Sequence, residues 1–151
     1  MKLKPSLLAI LMAASLPLAA HADFPGQHPA YLHALTDLRD ARWNLQHRPG
    51  DEAVRENEDF AVMAIDKAIG EVKKAAFYDG KDVYEAPHED AKLNHSGRLH
   101  HAVELLKKAE QDVSREEDNP QTQGLQMRVI DHIHEATHAA ERALHAAENG
   151  M

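Results

Sequence analysis

The chain contains no cysteine. That excludes disulfides, thiolate metal sites and the Cys-x-x-Cys-His attachment of covalent haem. Aromatic residues make up only 5% of the sequence, with one tryptophan, so a strand-rich core is not expected. Proline and glycine number seven each and fall almost entirely at breaks between apolar-periodic segments. Positive charge is also scarce: 17 basic residues stand against 25 acidic ones, a formal net charge of −8 with neutral histidines. That balance repels nucleic acid and anionic lipid and suits cations or basic partners. After the first 22 residues no run is apolar enough to span a membrane.

The first 22 residues read as a secretory signal. Lys2 and Lys4 form a short basic region, and an apolar stretch runs from Leu7 to Ala20. Ala20-His21-Ala22 places small residues at the two recognition positions, so cleavage is expected after Ala22. With no cysteine after the cut, a lipid-anchored form is not expected. The mature chain, residues 23–151, is expected to be exported, periplasmic in a Gram-negative cell, and to fold as one domain. Loss of Lys2 and Lys4 leaves it 15 basic and 25 acidic residues.

The mature chain is rich in strong helix formers. Tyr31, Leu35, Leu38, Arg42 and Leu45 repeat at three- and four-residue spacing and predict a helix over 29–47, with Pro29 at its first position. Ala61, Ile65, Ala68, Ile69, Val72 and Ala76 predict a second over 52–78, with Phe60 and Met63 widening its apolar surface. Leu99, Ala102, Val103, Leu106, Ala109 and Val113 predict a third over 96–116, capped by Ser96 or Asn94. Met127, Ile130, Ile133, Thr137, Ala140 and Leu144 predict a fourth over 121–148. The halves match weakly: Leu32-His33 with Leu99-His100 at an offset of 67, and Ile65-Asp66 with Ile130-Asp131 at 65. Two helical hairpins predict an all-α, up-down-up-down four-helix bundle.

Against these scarcities stands an excess of histidine. Twelve are present, and eleven remain after the predicted cleavage. Imidazole ligates metals and titrates near neutral pH. Under up-down-up-down connectivity, the starts of helices 1 and 3 and the end of helix 4 share one end. His28, His33, His88, His95, His100, His101, His138 and His145 then gather there. On helix 4, His134, His138, Glu141 and His145 lie at spacings of four, three and four and share a flank. The candidate metal ligands are therefore His28, His33, His95, His100, His134, His138, Glu141 and His145. Nitrogen and oxygen donors of this kind suit zinc, copper or nickel. Arg42 and Trp43 near the end of helix 1 form a candidate contact surface. No arrangement of nucleophile, base and acid is recognisable, so catalysis is not expected.

Tyr31-Leu32-His33-Ala34-Leu35, Ile65-Asp66-Lys67-Ala68-Ile69 and Arg115-Glu116-Glu117-Asp118-Asn119-Pro120 resemble segments of an uncharacterised family of small exported, histidine-rich helical proteins of proteobacteria. The resemblance implies a helical periplasmic protein and supplies no catalytic residue. The leading expectation is a non-enzymatic bundle that binds or buffers a transition metal through clustered histidines. The alternative is a cofactor-free stress or interaction module, pH-responsive through the same histidines and acting on a protein partner. A haem-binding bundle is a third reading, although the mature chain lacks a methionine near the start of helix 1.

Overall fold

The computed structural model describes residues 29–47, 52–78, 93–115 and 123–150. The predicted signal peptide, His28 and His88 lie outside the described residues. Four helices form: α1 (Pro29–Gln46), α2 (Glu52–Tyr78), α3 (His95–Val113) and α4 (Gln123–Glu148). No strand occurs among the described residues, and none of their helices is long and apolar enough to cross a membrane.

The ends follow from local chemistry. Asn94 caps α3, its side-chain oxygen accepting the Gly97 N–H at 2.7 Å. At the other end of α3 the Ser114 N–H donates to the Glu110 carbonyl, and the helix stops three residues short of the expected 116. Asn149 closes the last turn of α4 on the His145 carbonyl. Gly150 follows at φ 65, a left-handed conformation that glycine adopts freely.

The core is built largely from the predicted stripes; on α4, Val129 from outside the predicted stripe is fully buried, while Ile130 and Leu144 of that stripe, like Ile69 of α2, are only partly buried. Leu35, Leu38 and Leu45 of α1, Ile65 and Val72 of α2, Leu99 and Leu106 of α3, and Val129 and Ile133 of α4 are fully buried. Each such side chain contributes about 1.5–3 kcal/mol through its removal from water. Met127, expected on the apolar face of α4, is 64% exposed instead, and Phe60 and Met63 of α2 are 56% exposed. All three fall outside the buried register of their helices.

Helix α1 packs on α2 and α3, and α4 packs on α2 and α3, so α1/α4 and α2/α3 stand on the diagonals. Side-chain pairs fix the directions. Arg98 of α3 lies over Trp43 of α1, and Lys108 bonds Asp37, so α3 runs antiparallel to α1. Lys107–Glu141 and His100–Glu148 run α4 antiparallel to α3. Arg142–Asn57 and Arg128–Glu71 run α2 antiparallel to α4. The four-helix bundle of two hairpins is as expected, but the order of directions is corrected from up-down-up-down to up-down-down-up. The end of α2 at Tyr78 and the start of α3 at His95 stand at opposite ends of the bundle.

Candidate functional site

The corrected topology redistributes the histidines. The C-termini of α1 and α4 now share an end with the N-termini of α2 and α3. His47, His95, His100, His101 and His145 lie there, with His138 two turns inward on α4. His33, expected among them, sits at the opposite end, and His134 lies nearer the middle of α4. His47, expected apart from the cluster, joins it. The gathering at one end therefore persists with different members.

The innermost pair at this end is His95 with Glu58. Glu58 continues the buried register of α2, Val54-Glu58-Ala61-Ile65 at spacings of four, three and four, and its side chain is fully buried. His95 is the first residue of α3, and its Nε2–H donates to Glu58 Oε1 at 2.6 Å. The bond joins two helices that are otherwise diagonal. The partly positive N-terminal end of α3 favours a carboxylate beside it, which helps Glu58 to tolerate burial. Glu58 was missed as a site residue, although a charge in register with an apolar stripe is the signal that marks such a group.

Five further histidines also meet carboxylates. His100 Nε2 donates to Glu148 at 2.8 Å between α3 and α4, and His134 Nε2 donates to Glu110 at 2.9 Å between the same helices. Within single helices, His132 approaches Glu135 at 3.5 Å, His101 approaches Glu104 at 3.8 Å, and His138 approaches Glu141 at 3.9 Å. His145 accompanies Asn149, and the His47 ring stacks on Trp43 with centroids 4.1 Å apart.

This pairing bears on the metal-ligand expectation. His134, His138, Glu141 and His145 share the expected exposed flank of α4, yet Glu110 holds His134, and Lys107 holds Glu141 at 2.9 Å. His95 and His100 point to separate glutamates rather than to one another. No group of three or more histidines and carboxylates arranged to hold a metal ion occurs among the described residues. What the arrangement provides is a set of imidazole–carboxylate contacts, three of them tying one helix to another. No family model, curated protein or solved structure matches the chain.

Proposed function

We propose that the chain is a non-enzymatic, exported interaction module whose helix packing responds to pH through histidine–glutamate pairs. The observation that carries this reading is the set of three interhelical pairs, His95–Glu58, His100–Glu148 and His134–Glu110. Each gains full ion-pair character only when its imidazole is protonated, and free imidazole changes charge between about pH 5 and 8. An exported protein meets the pH of its surroundings, so the pairs tighten the contacts of α3 as the medium acidifies. Glu110 and Glu148 face solvent-exposed imidazoles and contribute modestly, about 0.2–1 kcal/mol each. Glu58 is fully buried, so its pair with His95 is the one most shielded from solvent.

Urea unfolding at pH 8 and pH 6 tests this. The protein should gain stability on acidification relative to a variant carrying Glu58→Gln, Glu110→Gln and Glu148→Gln. Parallel changes in the two proteins would refute the reading.

The exposed α4 flank supports a second reading, capture of zinc, copper or nickel by His134, His138, Glu141 and His145. Calorimetric titration with each metal decides it. Binding weaker than about 100 µM, or unchanged in His134→Ala/His138→Ala, removes it.

A further inference from the structure

The outer face of α2 carries a seam of side chains in solvent. Glu56, Phe60, Met63 and Lys67 follow one another at spacings of four, three and four, and all four are exposed. Phe60 and Met63 are the apolar centre of the seam, each 56% exposed. A shallow depression of about 370 Å³ surrounds them, lined also by Arg55, Glu56 and Asp59. The spacing is the 3.5-residue repeat along which two helices pack side by side. The opposite face of α2, with Val54, Ala61 and Ile65, is already taken by the core.

The seam is complementary to itself. Reversed end for end, its acid faces its base and its phenyl group faces its thioether. Neither Glu56 nor Lys67 has an ion pair among the described residues. The seam carries one acid and one base, so it is neutral within a chain of formal net charge −8. A strongly basic partner gains little from such a surface, whereas a second copy meets no net repulsion there.

We propose that two copies of the chain associate through this seam, α2 against α2, antiparallel about a two-fold axis between residues 61 and 62. Glu56 of each copy then meets Lys67 of the other, and Phe60 of each meets Met63 of the other between them. Such a contact is isologous and closes at two copies. Phenyl and thioether attract one another, while the exposed ion pairs set direction and register more than affinity. Parallel helices would oppose Glu56 to Glu56. An antiparallel pair shifted by seven residues would oppose Phe60 to Gly70 and Met63 to Lys67, which separates the apolar side chains. So few residues a side make an interface below the roughly 1,200 Å² of stable complexes, so the dissociation constant is on the order of 0.1 mM. The dimer names a partner for the interaction module, but it shares no residue with the histidine–glutamate pairs, so the two readings fail separately.

Sedimentation equilibrium at pH 8, where free imidazole is neutral, follows the protein from about 10 µM to about 1 mM. A monomer–dimer equilibrium is expected. Glu56→Lys and Lys67→Glu should each weaken it about tenfold or more, although they shift the net charge in opposite directions. Glu56→Lys/Lys67→Glu should restore it. The two positions lie about 16 Å apart along one helix, so such a rescue arises between chains and not within one. Phe60→Ser/Met63→Ser should leave only monomer. Circular dichroism checks that each variant folds, and if the serine variant does not, the charge series decides. A protein monomeric throughout overturns the proposal and leaves the seam to a different chain. A dimer indifferent to the single reversals, a double reversal that fails to restore it, or a dimer that survives in the folded serine variant overturns it equally.

Discussion

Asp37 shows how burial and pairing compete at one residue. It is 4% exposed on α1, its Oδ1 accepts from Lys108 at 2.8 Å, and its Oδ2 has no hydrogen-bond partner. Burial raises its pKa, and the Lys108 bond only partly opposes that rise; Asp112 and Asp40 raise it further. The pKa of Lys108 is raised by the same bond, because the lysine remains largely in solvent. For Asp37 the fold therefore disfavours the ionised form. Its contribution to stability is most favourable below the unfolded value near 3.8 and declines as pH rises through the higher folded value. Asp37→Asn should leave the protein at least as stable at pH 7. Lys108→Met should destabilise it by about 1–2 kcal/mol, since the buried carboxylate then loses its counter-charge. Urea midpoints at pH 7 check both. Glu71 has the opposite sign: Lys74 first, then Arg128, lowers its pKa. Its contribution is present above the unfolded value near 4.5 and is lost as pH falls through the folded value, so Glu71→Gln should flatten the acid limb of the stability profile. None of this was legible as sequence. Asp37, Asn44 and Asp112 interrupt apolar periodicity, and only the packing of α1 on α3 shows that they are buried.

Two glycines separate helix propensity from helix context. Gly70 lies in the middle of α2, and a Cβ built there meets nothing within 4 Å. Gly70→Ala should therefore stabilise the protein by about 0.5–1 kcal/mol. Gly97 lies in the first turn of α3, where a Cβ would come 2.8 Å from Asn94 Oδ1, the capping oxygen. Gly97→Ala gains the same propensity but displaces a cap worth about 1 kcal/mol, so its net effect should lie near zero. Thermal midpoints of the two variants, measured together, should differ in that order; a larger gain at Gly97 would contradict the cap. At this scale the sequence was most informative. The ends of α2 match the expected span, because Asp51 and the Asp79-Gly80 pair bracket a continuous helical pattern. The described part of α4 begins at Gln123, inside the expected span, and no apolar residue before Leu125 marks a boundary in the sequence.

At the scale of the molecule, periodicity identifies faces but not directions. Lys108–Asp37 and Arg98–Trp43 reverse α3 relative to α1, and Arg142–Asn57 and Arg128–Glu71 reverse α4 relative to α2. Two hairpins packed this way have the arrangement produced by a two-fold axis perpendicular to the bundle. Positions matched by an offset of 67, such as His33 and His100, then fall at opposite ends, which is why the expected histidine convergence lost His33. The absence of cysteine makes the directions directly measurable. Spin labels introduced in pairs at positions 33 and 111, and at 33 and 100, sit on exposed sites of α1 and α3. Eleven residues of α3 separate the two partners, about 16 Å along the helix axis. Because α3 descends as α1 rises, the 33–111 distance should be the shorter. Parallel α1 and α3 would give the reverse order. The comparison depends on rank rather than on label geometry, so it tests the chain direction that decides which histidines share an end.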